Sequence, residues 1–137
     1  MASTDTEKLL ELHARERRAH LEGDATLLTS GMADHVWESS RGGLNRLSRS
    51  DLEERFTAYF RSVRYTVWDD LEAPHVAVSA DGSQAWMAVV IEARLVDTAD
   101  DGSEHERGFE SSWIAAYEKQ DDDWKLVGIG SSVVDRH

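Results

Sequence analysis

An acidic residue, Glu38, lies in the middle of a short apolar segment, residues 35–40. The segment alternates like a β-strand, and Trp37 is the immediate neighbour of the acid. A carboxylate on the inner side of a curved sheet would be desolvated, which would raise its pKa and suit it to proton transfer. The alternative is that Trp37 faces the core and Glu38 faces solvent, because neighbouring strand residues point to opposite sides. Glu38 is therefore the candidate acid/base residue.

Two histidines and a second acid recur at helical spacing near the N-terminus: His13, Glu16 and His20. Imidazole and carboxylate groups on one helix face can bind a metal ion. However, Arg17 and Arg18 crowd the same helix, and no second carboxylate is fixed nearby. We interpret this helix face as a solvated charged surface, and we predict no metal site.

Two other segments resemble cofactor motifs but lack required positions. The loop at residues 97–102 is similar to a calcium-binding loop, yet Ala99 occupies a ligand position and Gly108 stands where the closing glutamate belongs. Gly128 and Gly130 lack the third glycine and the following helix of a dinucleotide-binding motif. The sequence therefore predicts no cofactor.

Length and charge limit the class of protein. The chain has 137 residues, 40% of them hydrophobic, and no cysteine. Its net charge of −12 would repel nucleic acid and anionic membranes, so we expect neither as a partner. The longest apolar run, residues 85–91, is too short to span a bilayer, and the N-terminus does not have the pattern of a signal peptide. We expect one domain, residues 1–137, in the cytoplasm.

The order of elements predicts an α+β fold. A helix should start at Thr4 or Asp5 and end at Gly23, a second should span residues 25–32, and Ser48 or Ser50 should cap a third. From residue 63 the hydrophobic period changes to two, which predicts long antiparallel strands. Helices that precede a meander of strands favour packing of the helices on one face of the sheet.

The last third of the chain, residues 111–132, predicts a hairpin that is apolar on both faces. Strict alternation puts Trp113, Ala115 and Tyr117 on one face of the first strand. On the second strand the same face would hold Trp124, Leu126, Gly128, Gly130 and Ser132. We expect helices and a pocket to cover one face and a second subunit to cover the other. The predicted outward stripe is Met87, Val89, Ile91, Ile114, Ala116, Val127 and Ile129.

Glycines on one strand face need a reason, since glycine weakens a strand. Their missing side chains would leave space beside aromatic residues, as a pocket for a small apolar ligand requires. The residues predicted to line this pocket are Tyr59, Trp86, Ala88, Trp113, Ala115, Gly128, Gly130 and Ser132, with Trp37 beside Glu38. The alternative is a filled core in which the tryptophan rings occupy this space.

Four segments, residues 20–24, 36–40, 52–60 and 124–132, resemble the NTF2-like superfamily. The similar branches are SnoaL-like (DUF4440) domains and the association domain of calcium/calmodulin-dependent protein kinase II. The resemblance implies a cone-shaped half-barrel, with three N-terminal helices packed in a strongly curved, mostly antiparallel sheet. It also implies a pocket inside the cone and a homodimer formed through the outer sheet face.

The resemblance also assigns positions. Glu38 matches the general-base aspartate of ketosteroid isomerase, whereas Glu16 stands where that enzyme has its oxyanion-binding tyrosine. Ala115, Gly128 and Gly130 stand where the kinase association domain has an arginine and two histidines. Because that tyrosine is absent, steroid isomerisation is not expected. The anion pocket of the kinase association domain has also lost its arginine and both histidines here, although Arg94 or Arg107 could replace that arginine in binding a ligand.

Three functions are consistent with this sequence. We expect an internal pocket that binds a small, partly apolar molecule. The first alternative is a SnoaL-like cyclase, isomerase or dehydratase that uses Glu38 as general acid/base. The second alternative is an oligomeric assembly module.

Overall fold

The computed structural model describes residues 4–136. The helices are α1 (Asp5–Glu22), α2 (Ala25–Thr29) and α3 (Arg49–Phe60). The strands are β1 (Met32–Ser40), β2 (Gly43–Ser48), β3 (Val63–Asp70), β4 (His75–Val78), β5 (Gln84–Thr98), β6 (Glu104–Gln120) and β7 (Asp123–Arg136). The fold is α+β, as predicted, with the helices before most of the strands.

The helix ends follow the capping residues in the sequence. The hydroxyl of Thr4 caps α1, and Gly23 ends it in the left-handed conformation, with a φ of 67°. Asp24 caps α2, and Ser48, one of the two predicted candidates, caps α3. Helix α2 is shorter than predicted and ends at Thr29, because the chain enters β1 at once. None of the helices within residues 4–136 is long and apolar enough to cross a membrane.

The strands form one large, unclosed sheet in the order β2-β1-β7-β6-β5-β3, and β4 also pairs with β5. All described pairings are antiparallel except the one between β1 and β7. Strand β2 was not predicted. It forms because Arg41 and Gly42 adopt φ values of 51° and 80°, which is the geometry of a tight two-residue hairpin turn. This turn brings β2 beside β1 at one edge of the sheet.

The inner face of the sheet is the one that packs against the helices. On β6 it carries Trp113, Ala115 and Tyr117, all of which are buried, as predicted. On β5 it carries Ala85, Met87, Val89, Ile91, Ala93 and Leu95. Leu9 of α1 and Leu52 of α3 are buried in the same core. The hydrophobic core therefore lies between the helices and this inner face.

A β-bulge at Val127 interrupts the alternation of β7. Tyr117 pairs with Leu126, but Ala116 pairs with Gly128, so Val127 has no partner of its own on β6. Such an extra residue shifts the following side chains to the opposite faces. As a result, Trp124 and Leu126 point inward, whereas the glycines that follow them point outward.

Candidate functional site beside helix α3

Glu38 lies on the inner face of the sheet, on strand β1. Its register partner on β7 is Ile129, which packs against the core. The neighbouring Trp37 points to the outer face and is 50% exposed. The side chain of Glu38 is 28% exposed, so it contacts both the interior and solvent. Of the two orientations that alternation allows, the structure has the one with Glu38 inside.

An arginine of helix α3 binds the Glu38 carboxylate. Arg55 Nη2 donates to Glu38 Oε2 at 3.1 Å. The Arg55 guanidinium also lies 5.9 Å from the centre of the Phe56 ring, within range of a cation–π contact. Sequence reasoning missed Arg55. The helical pattern could have indicated it, because Phe56 lies on the apolar stripe of the predicted helix and Arg55, the preceding residue, lies at the edge of that stripe.

Neither of the two arginines suggested for the pocket from the sequence, Arg94 and Arg107, binds Glu38 within the described residues. Arg94 is exposed on the outer face, where it pairs in register with Gly108. Arg107 shares the inner face with Leu95, its register partner, but its guanidinium binds the carboxylate of Asp97. That hydrogen bond raises the pKa of Arg107.

Two tyrosine hydroxyls form a second polar feature. Tyr59 Oη and Tyr65 Oη are 2.8 Å apart. Burial raises the pKa of Tyr65, and the hydrogen bond with Tyr59 raises it further, while the positive charge of Arg107 acts in the opposite direction. Since one hydroxyl donates to the other, the pair keeps one O–H that can donate elsewhere. We call Glu38, Arg55, Tyr59, Tyr65 and Arg107 the α3 site.

Aromatic rings fill the interior next to the α3 site. The ring centre of Trp68 lies 5.2 Å from that of Tyr65, 6.4 Å from that of Phe109 and 6.2 Å from that of Trp113. His20 stacks on Trp68 at 3.7 Å. Of the two interiors that the sequence allowed, an open pocket or a core filled by tryptophan rings, this region matches the second. Trp68 Nε1 is buried and has no hydrogen-bond acceptor within residues 4–136.

Comparison with known proteins gives the fold. No family profile matches the sequence, and no curated protein matches it. An NTF2-like protein of unknown function from Prochlorococcus marinus has a TM-score of 0.73 at 10% identity, with 98% of this chain and 97% of that one covered. The fold is NTF2-like.

Two further solved structures agree with this result. A ketosteroid isomerase-like protein from Erwinia carotovora has a TM-score of 0.70 at 13% identity, with 98% of this chain and 100% of that one covered. A protein from Exiguobacterium sibiricum, provisionally named a Ca/calmodulin-dependent kinase II association domain, has a TM-score of 0.72 at 13% identity, with 100% and 98% covered. At these identities the likeness concerns the NTF2-like fold and not the activity.

Within this NTF2-like fold, only part of the predicted ligand-binding set lies on the inner face. Tyr59, Arg107, Trp113 and Ala115 lie on the inner side together with Glu38. The residues placed on the outer side are Trp37, Trp86, Ala88, Arg94, Gly128, Gly130 and Ser132. Three effects explain this correction. Trp37 points outward because it alternates with Glu38, which faces inward. The bulge at Val127 turns the β7 residues outward, and β5, apolar on both faces, has the opposite facing from the predicted one.

Two cavities lie on the outer face of the sheet. One groove of about 570 Å³ crosses the sheet from the β1–β2 turn to Glu72 and His75. Its floor consists of Ala88, Val90, Ser112, Ile114, Gly130 and Ser132. A second groove of about 470 Å³ lies beside Trp86. Trp86 is 47% exposed and Ile114 is 61% exposed, so large apolar side chains border both grooves.

The histidines and the acid of α1 do not form a solvated face, contrary to the prediction. His13 is buried, and its Nε2 lies 2.7 Å from Asp70 Oδ1 on β3. His20 Nδ1 donates to the Glu16 carbonyl at 2.7 Å, and burial lowers the pKa of His20 to about 4. Burial also raises the pKa of Glu16 to about 7, at the wall of a cavity of about 10 Å³ that Tyr117 shares. Each of the three side chains therefore has a different environment.

Proposed function

We propose that the protein binds a small, partly apolar molecule at the α3 site, with an oxygen acceptor of the molecule directed toward Trp68. The observation that carries the proposal is the indole N–H of Trp68. That residue is 7% exposed, and its Nε1 has no acceptor within residues 4–136. A buried donor without an acceptor costs about 1–3 kcal/mol. Binding of a carbonyl or ether oxygen at this point is therefore favoured.

The surroundings of Trp68 match such a molecule. The ring centres of Tyr65 and Phe109 lie 5.2 Å and 6.4 Å from that of Trp68, and these rings would contact an apolar body. Phe56, Tyr59 and Phe109 are only partly buried, and their rings are the ones that would move to admit the molecule. Glu38 and Arg55 supply the few polar contacts that orient a ligand in a mostly apolar site.

Tryptophan indole resonances test this proposal. Protein labelled with ¹⁵N gives one indole signal for each of five tryptophans, and Trp68→Phe assigns the relevant one. We expect acetophenone to shift the Trp68 signal with saturation, and ethylbenzene, which lacks the oxygen, to have a much smaller effect. Trp124 is an internal control, because its Nε1 already donates to Asp5 Oδ1 at 3.0 Å. Shifts confined to Trp37 and Trp86 would place binding on the outer face and contradict the proposal.

A catalytic role for Glu38 is the alternative within the same site. Its inner position and 28% exposure give a substrate access to the carboxylate. Proton transfer would also need a donor for the developing oxyanion, and the Arg55 guanidinium and the Tyr59–Tyr65 hydroxyl pair are the groups available. A cyclase, isomerase or dehydratase activity that Glu38→Gln abolishes would favour this alternative over binding alone.

We also propose that the protein forms a homodimer through the outer sheet face. Trp37, Trp86 and Ile114 expose about half or more of their surface on this one face. Monomeric proteins rarely expose large side chains in one continuous patch, and a two-fold dimer would cover it on both copies. This patch replaces the predicted stripe, of which Met87, Val89, Ile91 and Ile129 point inward.

Sedimentation of the wild type and of Ile114→Glu tests the dimer. At micromolar concentration the wild type should sediment as a dimer, and Ile114→Glu should give a folded monomer or insoluble protein. Arg18→Glu, a change at an exposed position on α1, is the matched control and should remain dimeric. A monomeric wild type would contradict the proposal.

A further inference from the structure

The outer face of the sheet carries two rows of side chains that cross strand β6, and the first row complements itself about that strand. Resting on the proposed dimer, we infer that the two copies pack about a two-fold axis along β6. Trp86 of one copy then fills the space over Gly128 of the partner subunit, and Arg41 of one copy pairs with the partner's Glu72. The inference thus specifies which residues of the second copy meet which residues of the first.

The first row runs across the strands through Trp37 on β1, Gly128 on β7, Ala116 on β6, Trp86 on β5 and Ala77 on β4. Its two tryptophans are about half exposed, and small residues occupy the positions between them and at the β4 end. A Cβ atom added to Gly128 would meet nothing closer than 3.8 Å, so there is room above it. Glycine in a strand often marks a close approach by another backbone or ligand.

The second row runs through Ser39 on β1, Gly130 on β7, Ile114 on β6, Ala88 on β5 and His75 on β4. Ile114 is its largest exposed apolar side chain, at 61%. Gly130 has space above it as well, since an added Cβ would meet only the Cβ of Ser39, at 3.9 Å. In both rows the bulky residue and the glycine lie on different strands, and the central position lies on β6.

A two-fold axis that relates two stacked sheets lies in the plane between them. With the axis across the strands, β7 would face β7, so glycine would face glycine and leave unfilled gaps. With the axis along β6, β5 faces β7 of the partner subunit. Trp86 then faces the partner's Gly128, Ala88 faces the partner's Gly130, and Ile114 meets the partner's Ile114. Of these two axes, only the one along β6 places a bulky side chain over a glycine, with Trp86 above the partner's Gly128.

Charges at the ends of the groove favour the same axis. Arg41 lies in the β1–β2 turn at one end of the groove, and Glu72 lies at the other end. The Oε2 atom of Glu72 is 2.8 Å from Nε2 of His75. Arg41 has no ion-pair partner within residues 4–136, although the chain carries a net charge of −12. An axis along β6 exchanges the two ends and brings Arg41 to the partner's Glu72, whereas an axis across the strands would bring like charges together. Complementary charges across an interface fix its register.

Charge reversal tests this arrangement by sedimentation. We expect Arg41→Glu and Glu72→Arg each to raise the dimer dissociation constant by about tenfold or more. The double variant, which restores opposite charges, should return close to the wild-type value. Arg18→Glu and Glu54→Arg, at exposed helix positions, are the matched controls and should leave the constant unchanged. Thermal melts establish that each variant is folded.

Substitutions at Gly128 and Trp86 test the packing of Trp86 over the partner's Gly128 independently of the charges. Gly128→Val should weaken the dimer strongly, and Trp86→Ala should weaken it while leaving the monomer folded. Two results together would contradict the axis along β6 while leaving the dimer intact. The double charge variant would have a dissociation constant no lower than the single variants, and Gly128→Val would dimerise like the wild type. A monomeric wild type would instead overturn the proposed dimer itself.

Discussion

The inner and outer faces of β5, β6 and β7 are both apolar, yet they differ in how that apolar surface is covered. On the inner face, Met87, Ile91 and Trp113 are buried under the helices and one another. On the outer face, Trp86 and Ile114 remain about half exposed or more. The inner face thus stabilises the fold of one chain, whereas the outer face has apolar surface that only another molecule can cover.

The largest effect that distinguishes the two faces should come from truncating matched isoleucines. Ile91 is fully buried on the inner face, and Ile114 is 61% exposed on the outer face. Ile91→Ala should lower the free energy of unfolding by about 2–5 kcal/mol, because it leaves a cavity. Ile114→Ala should change it by less than about 0.5 kcal/mol in the monomer. Urea unfolding at low protein concentration measures both, and equal losses would show that the outer face is covered within one chain.

Much of the fold could be predicted, because its signals are local. Thr4, Gly23, Asp24 and Ser48 bound the helices through hydrogen bonds and backbone conformations that single residues determine. The switch to a period of two predicted the strands in the same way. Strand β2 was missed because its turn depends on Arg41, a residue type that seldom adopts positive φ.

The face that a strand residue occupies could not be predicted. When both faces of a strand are apolar, alternation does not indicate which set of residues faces the core. On β5, Met87 and Ala88 are equally compatible with either side, and pairing with β6 decides between them. On β7 the bulge at Val127 reverses the facing in mid-strand, and no residue type marks it. For Glu38 and Trp37, alternation left both facings open, and only the resemblance to NTF2-like domains favoured the one with Glu38 inside, which the structure has.

A partly buried acid on α1, Glu16, should make stability depend on pH. Burial raises the pKa of Glu16 from 4.5 to about 7. Its contribution to stability is therefore complete below about pH 4.5 and is lost as the pH rises through about 7. Relative to wild type, Glu16→Gln should gain about 2 kcal/mol in the free energy of unfolding between about pH 5.5 and pH 8.

The comparison with wild type is needed because the contribution of His20 to stability has the opposite pH dependence. Burial lowers the pKa of His20 to about 4, so its contribution is present above about pH 6.5 and is lost as the pH falls. This effect is common to both proteins and cancels in the difference. Urea unfolding at the two pH values gives the result. A difference between the proteins that stays constant with pH would show that Glu16 is hydrated in the folded state.

Salt should act on the exposed charges and leave the buried ones almost unaffected. With a net charge of −12, repulsion between surface carboxylates should destabilise the compact state at low ionic strength. Screening by sodium chloride should therefore raise the stability by about 1 kcal/mol before levelling, which is a few degrees in Tm. Thermal melts from low to near-molar salt measure this effect. A flat or falling Tm would show that repulsion between surface carboxylates does not limit the stability of the fold.

The smallest effect on stability should come from Glu38, where the inner face meets solvent. Its ion pair with Arg55 joins side chains that are 28% and 54% exposed, and such pairs contribute about 0–1 kcal/mol. Glu38→Gln keeps the shape and removes the charge, so folding should be nearly intact while the acetophenone-induced shift of the Trp68 signal weakens. Arg55→Gln is the matched variant, and a double-mutant cycle isolates the pair. If Glu38→Gln leaves both stability and binding unchanged, the carboxylate has no part in orienting a ligand, and the aromatic rings alone would hold it.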